Sequence, residues 1–238
     1  PDLFVGGRLV PEAYPLPPRS YILENNGKGY FTDVTGSYNK DLMEPGMVTD
    51  ATWTDFNGDN QPDLIIAGEW MKIRVFKNRG GALTELPENC GLKDSEGWWN
   101  SIHTCDFDFD GDMDYIAGNM GLNTRIKVSP EEPATIYAKD FDNNGSIDPV
   151  MCYYILGISY PFYAKDDLQA QLPFIKKKYP DYESYSDQTI NDIFSPEELK
   201  DAILLKATMF TSIYIENKGN GHFGIRPLPR EAQYFPVY

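Results

Sequence analysis

Three short acidic segments with one shared spacing constrain this chain more than any other feature: Asp55-Phe-Asn57-Gly-Asp59-Asn-Gln61-Pro-Asp63, Asp106-Phe-Asp108-Phe-Asp110-Gly-Asp112-Met-Asp114, and Asp140-Phe-Asp142-Asn-Asn144-Gly-Ser146-Ile-Asp148. Each sets oxygen-bearing side chains at positions 1, 3, 5 and 9 of a loop. Wound tightly, such a loop turns alternate positions inward and surrounds a hard cation. Calcium takes six to eight oxygens in a flexible shell, whereas magnesium demands a tighter octahedron and keeps its waters. The expected ligands are the side chains of Asp55, Asn57, Asp59 and Asp63 with the carbonyl of Gln61. The second set is Asp106, Asp108, Asp110 and Asp114 with the carbonyl of Asp112. The third is Asp140, Asp142, Asn144 and Asp148 with the carbonyl of Ser146. Without an ion the gathered carboxylates repel one another. A single Asp/Asn/Gly-rich loop is usually a plain turn, but three with matched spacing point to two or three bound Ca2+ ions. The third loop carries fewer charges than the second and is expected to bind more weakly. An EF-hand does not fit: it needs Glu at position 12 between two helices, and position 12 here is Ile66, Ala117 or Met151.

Each loop runs into an apolar stretch: Leu64-Ile-Ile-Ala-Gly68, Tyr115-Ile-Ala-Gly118, and Pro149-Val-Met-Cys-Tyr-Tyr154. The loops therefore feed strands. A second signature, Asn25-Asn-Gly-Lys-Gly-Tyr-Phe31, returns as Asn217-Lys-Gly-Asn-Gly-His-Phe223 and, degenerate, as Asn78-Arg-Gly-Gly-Ala-Leu83. Asp55 and Asp106 are 51 residues apart, and Asn25 and Asn78 are 53 apart. A period near that length, with about four short strands per unit, predicts an all-β propeller-type architecture. The expected units are 1–47 (partial), 48–100, 101–133 (short) and 134–238, about 3.5 four-stranded blades. The third is short because Asp106 and Asp140 are only 34 residues apart. Asp2-Leu-Phe-Val-Gly-Gly7 parallels Asp63-Leu-Ile-Ile-Ala-Gly68, so the chain is expected to be part of a longer propeller.

Residues 157–205 break the strand texture and predict a helical insertion within the last unit. Leu168, Leu172 and Ile175 have helical spacing, and Pro173 divides the segment in two. Ser186–Phe194 is a further candidate helix. Ser195-Pro-Glu-Glu198 is a strong helix start, with Leu199, Ile203 and Leu204 as its expected apolar face. The tyrosines and phenylalanines of this region are expected to be its packing, and Lys176-Lys-Lys178 a solvated face.

A formal net charge of −15, from 21 basic and 36 acidic residues, argues against nucleic-acid binding, which needs a basic footprint. Three calcium ions would bring the balance to about −9. Cys90, Cys105 and Cys152 match no metal or disulfide pattern. No apolar run is long enough for a transmembrane helix.

The acidic loops that enter a Leu-Ile-Ile-Ala-Gly strand, together with the Asn-x-Gly-x-Gly-x-Phe turns, resemble the FG-GAP/VCBS repeats of integrin-α-like β-propellers. Gly118-Asn-Met-Gly-Leu-Asn123, the Asp140–Asp148 loop, the helical insertion, Pro227-Leu-Pro229 and Ala232-Gln233 are similar to large Bacteroidetes VCBS-repeat proteins of the CRTAC/UnbV group. The resemblance implies an exported, calcium-stabilised propeller at the cell surface, in the outer membrane or in the periplasm of a Gram-negative bacterium. Asn in place of Asp at 57 and 144, the short third unit and the insertion depart from a minimal repeat.

On this reading the chain is a non-catalytic scaffold that binds a protein or a glycan. Trp98 and Trp99, ahead of the Ser101 strand, are the candidate contacts, and Trp53 and Trp70 are expected to pack between units. Two alternatives differ in class: a propeller enzyme acting on extracellular polysaccharide, and a structural component of a larger outer-membrane assembly. No Ser/His/Asp, Cys/His or zinc constellation supports an enzyme. His103 is expected to be packed or hydrogen-bonded rather than a base, and His222 to be exposed in a turn.

Overall fold

The computed structural model describes residues 2–238, and it is mostly β. The first sheet joins β1 (Leu3–Val5), β2 (Tyr21–Asn25) and β3 (Phe31–Asp33) in antiparallel order. After a short helix α1 (Thr35–Tyr38), the second sheet runs β4 (Met47–Thr54), β5 (Asp63–Met71), β6 (Arg74–Asn78) and β7 (Leu83–Glu85). A two-residue strand β8 (Gly97–Trp98) pairs with the far end of β5.

β5 is buried along nearly its whole length because both of its faces are covered, which is why it reads as a continuous apolar run rather than an alternation. Ile65 and Ala67 enter one core with Ile73, Val75, Trp99, Ile102 and Tyr115. Leu64 and Ile66 enter another with Ile22, Leu42, Phe76 and Leu83. The second sheet is thus the middle layer between the first sheet and the one that follows.

That next sheet departs from the expected units. β9 (Ser101–Cys105) pairs with β10 (Asp114–Gly118), but the next strands of the same sheet are β15 (Ile213–Asn217) and β16 (Phe223–Pro227). Tyr115 faces Ile215 and Ala117 faces Ile213 in the ladder. The boundary placed between 133 and 134 is therefore corrected. The unit that begins at Ser101 is completed by β15 and β16, which lie within the residues expected to form the unit 134–238. Residues 119–212 form an excursion at the position where residues 68–73 join the paired parts of β5 and β6 in the preceding sheet.

Within the excursion lies a fourth sheet, in the order β14 (Ile203–Ala207), β11 (Ala134–Lys139), β12 (Asp148–Ile155), β13 (Ile158–Pro161). Five short helices join β13 to β14: α2 (Lys165–Gln171), α3 (Phe174–Lys178), α4 (Tyr182–Tyr185), α5 (Ile190–Ile193) and α6 (Pro196–Leu199). Pro173 separates α2 from α3 as expected. Ser195 caps α6 through the Glu198 N–H, while the Glu198 carboxylate accepts the Ser195 N–H at 2.7 Å. α6 ends at Leu199, so Ile203 and Leu204 lie on β14 and not on a helix face. Leu168, Leu172, Ile175, Tyr179, Tyr185 and Phe194 cover Val150 and Cys152 of β12, which identifies these aromatics as packing, whereas Tyr182 is exposed.

Candidate functional site: three carboxylate loops and the opposite strand ends

The three acidic segments adopt one backbone. Positions 4 and 6 lie in the left-handed region in every loop: Gly58 and Asn60, Phe109 and Gly111, Asn143 and Gly145. Glycine or asparagine takes that conformation readily. Phe109, with its ring 90% exposed, is the bulky exception. The winding turns backbone N–H groups toward the first carboxylate. Asp55 accepts from the Asp59 and Asn60 amides, at 3.1 and 2.7 Å. Asp140 accepts from those of Asn144 and Gly145, at 3.0 and 2.8 Å. Asp106 accepts from the Gly111 amide at 3.2 Å. Position 5 accepts the amide two residues on in each case: Asp59 from Gln61, Asp110 from Asp112, Asn144 from Ser146.

Position 9 does a different job. Asp63, Asp114 and Asp148 are buried at the start of β5, β10 and β12. Asp63 accepts the N–H of Asn78 at 2.7 Å, and Asp114 that of Asn217 at 2.9 Å. Asp2 accepts the N–H of Asn25 at 2.9 Å. In three sheets the last loop residue thus latches the asparagine that opens the Gly-rich turn. This gives a physical meaning to the two sequence signatures and to the likeness between Asp2–Gly7 and Asp63–Gly68.

The loops differ in their charge chemistry. Carboxylate oxygens of Asp106, Asp108 and Asp114 all lie within 4.8 Å of one another, as do those of Asp140, Asp142 and Asp148. One oxygen of Asp106 and one of Asp112 are buried with no hydrogen-bond partner among the described residues. Asp112 is pushed up to about 6 by desolvation and by the nearby charges of Asp110, Asp114, Asp108 and Asp106. Burial also raises Asp108, Asp148 and Asp63. Carboxylates gathered this way, with an orphaned oxygen, fit a hard cation that takes oxygen ligands. The Asp112 carboxylate lies among these charges, where the spacing had assigned only its carbonyl, but it is not one of the three whose oxygens converge.

The first loop is different. Lys77 Nζ lies 3.3 Å from Asp59, and the Asn57 carboxamide donates to Asp63 at 2.7 Å. Asn57 and Lys77 thus supply donors where the other two loops leave carboxylates facing each other. Gln61 bonds outward to the Gly80 amide, and Ser146 is exposed.

Trp99 is corrected as a partner contact. It is fully buried and its indole N–H donates to the Ser95 carbonyl at 2.8 Å. Trp98, next to it on the other face of the strand, is half-buried and packs edge-on against Trp70 at 5.0 Å and against Phe210 at 4.6 Å. Trp53 lies partly buried against the core shared by the first two sheets, and Trp70 is buried in a different core. His103 is exposed on β9 and makes no side-chain hydrogen bond among the described residues, contrary to the expectation that it is packed or hydrogen-bonded, and His222 is exposed in its turn.

No helix among the described residues is long and apolar enough to cross a membrane. A search of curated proteins finds no match to the chain. Residues 55–117, from the first residue of the first loop through β10, match the family model described as FG-GAP-like repeat, so this stretch carries a repeat of that kind within a β-rich chain.

Proposed function

We propose that the chain is part of a calcium-stabilised β-propeller, a non-catalytic binding and scaffold module of an exported bacterial protein. Its place would be the cell surface, the outer membrane or the periplasm of a Gram-negative cell, and its partner a protein or a glycan. The observation that carries this reading is the convergence of three carboxylates in each of two loops, one of them inside the FG-GAP-like stretch. Asp106, Asp108, Asp110 and Asp114, with Asp112 beside them, would hold one ion, and Asp140, Asp142, Asn144 and Asp148 a second. Calcium there would offset the mutual repulsion of the carboxylates. The protein's own part is to hold the loops wound, through the amides that bond to Asp106 and Asp140, and to tie each loop to its sheet through position 9. Loops that stiffen one end of the strands leave the opposite ends and the surfaces between sheets for recognition.

The test is a thermal melt of the parent and of Asp142→Ala, with calcium titrated against a chelator. A site occupied at about 100 times its Kd adds about 2.7 kcal/mol, so the parent should melt several degrees higher in calcium. Asp142→Ala should lose part of that gain. A parent whose melting temperature ignores calcium would overturn the reading.

A further inference from the structure

Where the far end of β5 meets the fourth sheet lies an open cleft of about 330 Å³, lined among others by Arg8, Tyr14, Glu69, Trp70, Trp98 and Asn100. β5 and β10 both start at acidic loops and run toward it. Its volume falls within the usual range for small-molecule sites, roughly 300–1,000 Å³.

The backbone is arranged to bring Trp70 here. In the pairing of β5 with β8, Glu69 faces Trp98 and Met71 faces Gly97, with a register shift between them. Trp70 is the extra residue of that bulge and sits at φ 57°, a conformation that costs a bulky residue about 1–3 kcal/mol. Bulges re-aim side chains, and the effect is visible in the cores. Strict alternation would put Met71 with Ile65 and Ala67; instead it joins Leu64 and Ile66.

Polar groups are fixed around the aromatic walls. Trp70 Nε1 donates to the Tyr14 hydroxyl at 2.6 Å, and that hydroxyl donates to Glu69 Oε2 at 3.3 Å. Arg8 donates twice to Glu69 Oε1, at 3.1 and 2.5 Å. A carboxylate has about four lone-pair sites, so Glu69 keeps acceptor capacity. The Asn100 carboxamide makes no hydrogen bond among the described residues, and the buried Trp98 Nε1 has no acceptor. Arg8 and Glu69 are the charged lining residues and neutralise each other, so the cavity favours neither an anion nor a cation.

From this geometry we infer a binding site for a neutral saccharide, one pyranose ring lying against the half-buried Trp98, which Trp70 backs from the core, with its hydroxyls shared among Glu69, Asn100 and Arg8. A pyranose offers a face of C–H groups and a rim of hydroxyls, which matches apolar aromatic walls with a few fixed polar groups. The inference rests on the binding-module reading and narrows its partner to a glycan.

The test is calorimetric titration, with intrinsic tryptophan fluorescence alongside, of the whole chain in calcium. The probes are soluble neutral oligosaccharides of glucose, galactose, mannose and xylose, with tetramethylammonium as a cationic comparison. Saturable binding of at least one saccharide is expected. Trp98→Ala and Glu69→Gln should each weaken it about ten-fold or more, and Trp98→Phe, which keeps an aromatic face without the N–H, should weaken it less. Melting temperatures of the variants identify any that fail to fold; Glu69→Gln and Trp98→Phe preserve the packing if Trp98→Ala does not. No binding by any saccharide, equal binding by parent and folded variants, or preference for tetramethylammonium would overturn the assignment. If calcium stabilises the chain and no saccharide binds, the cavity assignment fails while the module reading stands. Saccharide binding with no calcium effect would separate the two in the other direction.

Discussion

Asp114 and Asp110 belong to one loop but should fail in different ways when removed. Asp114 is 1% exposed and accepts from the Asn217 amide at 2.9 Å, the Tyr214 hydroxyl at 2.7 Å and the Phe107 amide at 3.2 Å. Asp114→Ala leaves the buried Asn217 amide without an acceptor, while the Tyr214 hydroxyl and the Phe107 amide are only partly buried and can turn to water. An unsatisfied buried donor costs about 1–3 kcal/mol. Relief of repulsion from Asp106 and Asp108 returns part of this when no ion is present, leaving about 1–2 kcal/mol. For a chain of this size, 1 kcal/mol moves the melting temperature by about 2–4 °C. Asp114→Ala in chelator should therefore melt roughly 2–8 °C below the parent. Asp110 is exposed and accepts only the Asp112 amide of its own loop. Asp110→Ala in chelator should stay within about 0.5 kcal/mol of the parent. In excess calcium the order of cause changes, because Asp110→Ala then loses the increment that its site supplies. The assay is a paired set of melts, followed by circular dichroism, in chelator and in calcium. Equal losses for the two variants in chelator, or no loss for Asp114→Ala, would refute the idea that position 9 is a metal-independent latch.

Calorimetry should count two ions that bind more tightly than any third, and Asp59→Ala should disturb calcium binding less than Asp142→Ala, because Lys77 already lies beside Asp59. Trp99→Ala should cost about 3–5 kcal/mol in urea unfolding, as for a fully buried aromatic, and Trp98→Ala less. Asp112 is raised from 3.8 to about 6 in the folded chain. The folded state then holds its proton where the unfolded state has lost it, so the associated stability is present at acid pH and fades as pH rises through about 6. In chelator the melting temperature should therefore fall between about pH 4 and pH 6; in calcium the trend should reverse, because protons compete with the ion for the same oxygens.

The loops and the strands that follow them were legible because their signal is local: oxygen spacing and an apolar run directly after position 9. The capping of α6 was legible for the same reason. The partner of β10 was not, since β15 is paired through space and nothing near Gly118 announces Ile213. A cue existed in two complementary shortfalls. The unit beginning at Ser101 lacked outer strands, and the Asn217 turn, whose counterpart at Asn78 follows strand β6, was assigned to a unit already interrupted by helices. Trp98 and Trp99 look identical in composition; strand alternation puts one ring in the core and the other against a cavity, and that choice depends on which face the neighbouring sheet covers. The cavity itself was hidden because Trp70 enters it through a bulge that no spacing rule encodes.

The discontinuous sheet also sets an order of events during synthesis. The ladder between β10 and β15 closes only after residues 119–212 have left the ribosome, and long-range strand pairing is slow. The β11–β12 hairpin and the helices on it are mostly local and can form while those residues emerge. Once folded, this excursion draws its own two ends together: the Asn119 amide donates to Ser212 Oγ at 3.0 Å, and the Asn119 carboxamide to the Met209 carbonyl at 3.1 Å. A closure that would span a long flexible segment becomes the docking of two strands held side by side. The part of the chain that interrupts the sheet would thus serve as its assembly jig, and a variant that slows the excursion's folding should delay the sheet on either side of it.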